Sequence, residues 1–250
     1  MDHQDRFSKL GFEDFRKLAS DPNISNCEKI GFPDSYRKGK ELNIFEDVTE
    51  KLFRLKSESK LKVLDIGPGC SEFPKLLIQL CEQQEHELFL IDSQEMLSLL
   101  PESKTTTKIS AQFPTCTDFI QNYLGRIDVI LCYSVFQYVF SEGNLFAFLD
   151  QSLSLLAPGG LFLIGDIPNN SKRKRFFSSA SGVEFHRNFM NTTNPPEVTF
   201  NTLEPEKIDD SVIMAVLSRA RTQGYDSYIL PQKKTLPMAN RREDILICRP

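Results

Sequence analysis

A chain of 250 residues, 40% of them hydrophobic, carries enough apolar sequence for one large α/β domain with a small cap, and is too short for two full domains. Its 30 basic and 34 acidic residues leave a net charge of -4, which excludes a global positive field for nucleic acid. The six cysteines form no C-x-x-C pair, His3, His86 and His186 are dispersed, and no apolar run approaches spanning length. These features argue against a disulfide scaffold, a metal site and a membrane anchor. With the polar start Met1-Asp2-His3 in place of a signal-peptide core, the expectation is a cytoplasmic protein that engages neither nucleic acid nor membrane.

Phe12, Phe15 and Leu18, then Ile44, Val48, Leu52 and Leu55, recur at helical spacing, so residues 1–59 read as a helical N-terminal cap. Between them, residues 20–40 are turn-rich and include Tyr36 and Arg37. Leu61, Val63, Leu64 and Ile66 then give a strand buried on both faces, which Gly67-Pro68-Gly69 breaks abruptly. Two glycines let backbone approach a ligand over the strand's end. Leu76, Leu77, Leu80 and Cys81 mark the following helix, with Ser71 as its N-cap. A second strand, 87–91, ends at Asp92, about 20 residues beyond the turn, where a nucleotide-binding βαβ unit delivers an acid to a ribose diol. Ser93 and Met96 open the next helix, flanking the place of an adenosine. Weaker and stronger strands follow at 107–111 and 127–132, the first followed by Gln112 and the second reaching Cys132 and Tyr133. Leu145, Phe148, Leu149, Leu153 and Leu156 mark an amphipathic helix, ended by Pro158-Gly159-Gly160 before a strand at 161–165. The remainder reads as an insertion, 167–207, a helix, 208–223, and strands at 225–230 and 244–248.

The turn admits two cofactors. A dinucleotide turn wants a third glycine where this chain has Glu72, which weakens an NAD-dependent oxidoreductase without removing it. Asp65-Ile66-Gly67-Pro68-Gly69 instead resembles the first motif of class I S-adenosylmethionine-dependent methyltransferases, and Leu155 to Gly160 resembles the helix-turn that precedes their fifth strand. The resemblance spans about residues 60–249. It implies a Rossmann-like, doubly wound seven-stranded sheet of order 3-2-1-4-5-7-6 with the last strand antiparallel, in a domain at 60–250 with 167–207 as a substrate-side insertion. It also implies that Asp65 helps hold the cofactor's ammonium group, that Gly67, Pro68 and Gly69 pack against its methionine part, and that Asp92 takes the ribose. Ser93, Met96, Gln112 and Cys132 complete the implied cofactor set. Gln112 departs from the acidic residue that often contacts the adenine there.

On the acceptor side the candidates are Tyr36 and Arg37 in a lid, Tyr133 beneath the sulfonium, and Asn169, Lys172 and Arg173 in the insertion. Phe32-Pro33-Asp34-Ser35-Tyr36-Arg37, paired with Asp166-Ile167-Pro168-Asn169-Asn170-Ser171, weakly resembles methyltransferases associated with bacterial surface-polysaccharide biosynthesis, which implies O-methylation of a small hydroxylated or anionic, sugar-like metabolite. A hydroxyl acceptor calls for a base, for which Asp166 and His186 are the candidates. Four consecutive cations at 172–175 cannot face one way, so at most two reach a ligand. Asn194-Pro195-Pro196-Glu197 is not the N-P-P-aromatic motif of nucleic-acid amino-methyltransferases, since it follows the fifth strand and lacks the aromatic that stacks on a flipped base. A catalytically silent S-adenosylmethionine-binding partner protein remains the alternative from another class. Nothing in the sequence sets the oligomeric state.

Overall fold

The computed structural model describes residues 10–202 and 204–250; the polar start and His3 lie outside them. Helices α1 (Phe12–Ser20), α2 (Asn26–Lys29), α3 (Asp34–Arg37), α4 (Glu41–Lys51) and α5 (Arg54–Ser57) precede the first strand. Strands and helices then alternate: β1 (Lys62–Ile66), α6 (Glu72–Gln83), β2 (Glu87–Asp92), α7 (Gln94–Leu97), β3 (Thr106–Ser110), α8 (Thr117–Tyr123) and β4 (Ile127–Tyr133). The chain continues through α9 (Phe136–Glu142), α10 (Leu145–Leu155), β5 (Leu156–Pro168), α11 (Asn170–Phe177), α12 (Ala180–Met190) and α13 (Asp210–Thr222) to the antiparallel pair β6 (Asp226–Pro231) and β7 (Arg242–Cys248).

The strands form one seven-stranded sheet, β3-β2-β1-β4-β5-β7-β6. Neighbours from β3 to β5 pair parallel, and β7 runs antiparallel to both β5 and β6. This is the order that the resemblance to class I methyltransferases implies. Both faces of the sheet are covered, which is why its central strands read as apolar runs. Leu64, Ile130 and Phe162 enter one core with α8, α10 and α13, while Val63, Leu131 and Leu163 enter the other with α4 and α6. His86, just before β2, is fully buried on the α4/α6 side, its Nδ1 accepting from the Leu61 N–H at 3.1 Å and its Nε2 3.0 Å from the Leu55 carbonyl.

Two stretches differ from expectation. Residues 20–40 contain two one-turn helices, α2 and α3, the first held by a Ser25–Glu28 capping box. The insertion is not polar loop alone: Asn169 and Ser179 cap α11 and α12 through their side chains, and Gly182 lets the second helix lie against the backbone of Phe176. Within the first 59 residues, Ile44, Val48, Leu52 and Leu55 bury into the same cluster as Val63 and Leu77. Helices α4 and α5 are therefore packed into the sheet layer, and only the segment through α3 stands over the strand ends. No helix among the described residues is long and apolar enough to cross a membrane.

Candidate active site

The turn after β1 is held open by glycine. Gly67 has φ +70° and donates its N–H to the Ile91 carbonyl at 2.9 Å, so the chain leaves β1 while still tied to β2. A Cβ on Gly67 would lie 2.6 Å from a methyl of Val135, and one on Gly69 2.6 Å from a methyl of Ile30. The glycines are thus required first by neighbouring chain that closes on them. Asp92, at the end of β2, accepts from the Gly69 N–H at 3.0 Å and the Ser93 N–H at 2.7 Å. Burial pushes its carboxyl up to about 6 against the pull of these two donors.

Asp65 is the most perturbed acid at this turn. It is 1% exposed, and its Oδ2 has no hydrogen-bond partner. Burial, and then the charge of Asp92, push it up to about 8. An orphaned buried carboxyl oxygen is costly, about 1–3 kcal/mol, and points to a missing donor.

Asp65, the glycine turn and Asp92 open on a cavity of about 310 Å³. Ile91, Gln112, Phe113, Tyr133 and Val135 extend its walls along the strand ends, and Phe12, Phe15, Ile30, Phe32 and Arg37 cover it from the N-terminal segment. Phe15 meets Tyr138 edge to face at 4.8 Å, and Tyr133 stacks on Phe73 at 5.7 Å. Burial, then the charges of Asp166 and Asp244, hold the Tyr133 hydroxyl well above its ordinary value, so it stays protonated. Gly165 leaves no room for a Cβ because the Tyr133 ring occupies that space.

A buried ionic network backs the cavity. Arg37 Nε donates to Glu41 at 2.8 Å, its second arm reaches Ser134 Oγ at 3.2 Å, and it lies 3.7 Å from Asp166. Burial opposes this charge, but Glu41 and Asp166 outweigh burial and raise the guanidinium above its ordinary range. Asp166 Oδ2 also accepts from Ser134 Oγ and from Arg242, both at 2.6 Å. Ser134 and Asp166 have φ of +61° and +59°, a strain of about 1–3 kcal/mol each that is found at functional sites.

The expected residues divide as follows. Arg37, Asp65, Gly67, Pro68, Gly69, Asp92, Met96, Gln112 and Tyr133 line the cavity. Ser93 does not; it caps α7, accepting from the Met96 N–H. Cys132 is fully buried in the core, with its thiol pushed far up by burial. Asp166 lies behind the wall, and Tyr36 faces Phe189 outside it. Asn169 is a tether, donating to Asp210 at 2.8 Å and Glu243 at 2.6 Å, and Lys172 binds the Arg242 carbonyl at 2.6 Å. Arg173 and His186 line one groove on the insertion, apart from the cavity, with His186 edge-on to Phe177, and Arg173 also borders a second groove beyond β5. Sequence reasoning missed Glu41, Ser134 and Tyr138. Glu41 carried a signal at i+4 from Arg37; Ser134 and Tyr138 lie in the stretch 133–139 that resembles the family's substrate-facing segment after the fourth strand, from which only Tyr133 was chosen.

A family profile described as a methyltransferase domain matches residues 37–194, well over half of the chain. Comparison with curated proteins finds no match. Among solved structures, the plantazolicin methyltransferase BpumL, in complex with a monoazolic desmethylPZN analog and SAH, superposes with a TM-score of 0.56 at 16% identity, covering 99% of this chain and 98% of that one. A putative methyltransferase of Haloferax volcanii, in complex with the Trm112 methyltransferase activator, gives 0.56 at 13% identity, covering 97% and 100%. The CurJ carbon methyltransferase gives 0.56 at 16%, covering 98% and 69%. At such identities these likenesses carry the fold alone; the family match carries the activity. The chain belongs to the methyltransferase-domain family and is a class I S-adenosylmethionine-dependent methyltransferase.

Proposed function

We propose that the cavity takes S-adenosylmethionine against the glycine turn and that the acceptor is a small metabolite entering over Tyr133 and Ser134. The observation that carries this reading is the unpartnered Oδ2 of Asp65, buried beside a glycine turn and across from Asp92. An ammonium group is the donor that such an oxygen lacks, and one that also supplies the opposite charge. Asp92 keeps acceptor capacity beyond its two backbone donors for the hydroxyls of a ribose. Gln112 is exposed at the end of β3 and offers an amide oxygen to an adenine amino group. The segment through α3 acts as the lid, with Ile30 on Gly69 and Phe15 against Tyr138.

The cofactor supplies the methyl group on a sulfonium, a strong leaving group, so the protein's task is orientation in a dry site, worth about 7–11 kcal/mol. Aromatic rings and the lid exclude water. Asp166 positions: its Oδ2 already accepts from Ser134 and Arg242 and faces Arg37, which leaves it poorly placed to remove a proton. His186, in a separate groove, is not a base for this cavity in the present arrangement. O-methylation of a hydroxylated or anionic acceptor is the finer reading, for which the Tyr133 and Ser134 hydroxyls on the cavity wall supply groups that can orient an oxygen acceptor.

Calorimetric titration with S-adenosylhomocysteine, and separately with NAD, tests the cofactor. Saturable binding of the first is expected, weakened roughly 10- to 100-fold in Asp92→Ala, in line with loss of a charge-assisted hydrogen bond. Binding of NAD with none of S-adenosylhomocysteine would sink the reading.

A further inference from the structure

A second concavity, of about 420 Å³, opens beyond the end of β5 and is lined by four cations, Arg173, Lys207, Arg241 and Arg242, against one carboxylate, Glu206, with Gln137 among the remaining residues. It shares no lining residue with the methyl-donor cavity, but contacts join the two walls. Gln137 Nε2 donates to the Ser134 carbonyl at 2.8 Å, and the Arg242 guanidinium lies 5.5 Å from the ring of Phe32, which lines the cavity.

The cations of this groove are unequally matched. Arg242 is held by Asp166 at 2.6 Å, and Lys207 lies 3.8 Å from Glu204. Among the described residues, Arg173 and Arg241 make no salt bridge to a carboxylate; Arg241 donates to its neighbour Asn240 at 3.5 Å and lies within electrostatic reach of Tyr36. Both guanidiniums are nevertheless set in place, 5.3 and 5.8 Å from the centre of one ring, Phe177. Burial pushes the Arg241 guanidinium below its ordinary value, and Arg242 and Arg173 add to the push, with Tyr36 opposing. A part-buried arginine among other cations is unfavourable unless an anion joins them. In a chain of net charge -4 this concentration of positive charge is local to the acceptor side. Guanidinium forks suit the paired oxygens of a carboxylate or phosphate. Gln137 adds a second vacancy: its Oε1 is buried without a partner, and its Nε2 bond to a carbonyl fixes which end is oxygen.

We propose that this groove binds the oxyanion, carboxylate or phosphate, of the methyl acceptor, with Arg173 and Arg241 as its ligands and Gln137 receiving a hydroxyl or amine of the same molecule. The acceptor then spans from the arginine pair, past Gln137, to the wall formed by Ser134. This assignment rests on the reading of the neighbouring cavity as the methyl-donor pocket.

The test is a titration of 15N-labelled protein, saturated with S-adenosylhomocysteine, with inorganic phosphate and separately with acetate at constant ionic strength. The arginine Nε–H resonances are followed, those of Arg173 and Arg241 being identified by their loss in Arg173→Gln and Arg241→Gln. Saturable shifts of both resonances are expected, with the half-saturating concentration raised at least about ten-fold in either variant. A response to phosphate alone assigns a phosphorylated acceptor, and one to acetate alone a carboxylate. Either variant must retain S-adenosylhomocysteine affinity, which reports that it is folded. Absence of any shift, or equal anion affinity in the Arg173→Gln/Arg241→Gln double variant and wild type, overturns the proposal. Failure of S-adenosylhomocysteine to bind, with anion binding intact, would sink the donor-pocket reading instead.

Discussion

The guanidinium of Arg37 stands 3.7 Å from the carboxylate of Asp166, joining the end of α3 to the C-terminal end of β5 across the back of the cavity. Both side chains are at least nine-tenths buried, and Glu41 grips the same guanidinium at 2.8 Å. Removing one partner of such a network leaves the others charged and desolvated. Arg37→Ala is expected to lower stability by about 3–5 kcal/mol, toward the lower end because Arg242 still neutralises Asp166. Urea denaturation measures it. A loss below about 1 kcal/mol, the range of an exposed pair, would mean that water reaches the site and the network does not hold the lid segment.

Glu41 gives a second prediction because it does the work expected of Ser71. Ser71 stands at the N-cap of α6, but its side chain makes no capping bond. Instead Glu41 Oε2 accepts from the Phe73 N–H at 3.1 Å and from Ser71 Oγ at 3.2 Å. Ser71→Ala removes one hydrogen bond and should cost about 0.5–1.5 kcal/mol. Glu41→Ala removes the cap and strands Arg37, and should cost about 3–5 kcal/mol. The reverse ranking in thermal or urea unfolding would show that the carboxylate is not the cap.

A double-mutant cycle at Gly69 and Ile30 tests why the turn needs its glycines. Alanine at 69 must hold φ near +65° and place its Cβ 2.6 Å from the Ile30 methyl. The backbone part costs about 1–2 kcal/mol and the overpacking about 1–3 kcal/mol. Ile30→Ala in the Gly69→Ala background should recover the second part and none of the first. Strict additivity of the two substitutions would show that Ile30 does not close on the turn.

The strands, the glycine turn and the acid at the end of β2 were legible because each rests on local sequence, namely apolar runs, paired glycines and the length of one βαβ unit, whereas the sheet order came from the family resemblance and not from any local pattern. Asp166 was found for its place beyond a strand end, yet its partners were not, since Ser134 and Arg242 reach it only through sheet pairing with β4 and β7. Asn169 and Lys172 looked like ligands because they are polar and follow a strand. Their bonds to Glu243 and the Arg242 carbonyl depend on β7 lying beside β5, which spacing along the chain does not reveal. Cys132 failed on parity: its neighbour Tyr133 takes the cavity side, so Cys132 points into the opposite core layer.

Asp65 is expected to couple proton uptake to stability and, in the proposed cofactor site, to binding. Burial, with Asp92 adding to it, raises its carboxyl from 3.8 to about 8. Between roughly pH 4 and pH 8 the folded protein therefore holds a proton that the unfolded chain has released. The stability this confers is complete below pH 4 and is lost as pH rises through 8. Asp65→Asn, which cannot ionise, should flatten that slope in denaturant titrations across the window. Binding runs the other way, because an ammonium group selects the ionised carboxylate. Affinity for S-adenosylhomocysteine should rise from pH 6 to 8 and level off above it, and at pH 7 binding should release up to one proton. Calorimetry at pH 7 in PIPES and in Tris reads that release as a difference in apparent enthalpy, absent in Asp65→Asn. Equal enthalpies for the wild type in the two buffers would mean that Asp65 does not change ionisation on binding, and would remove the ammonium contact assigned to it.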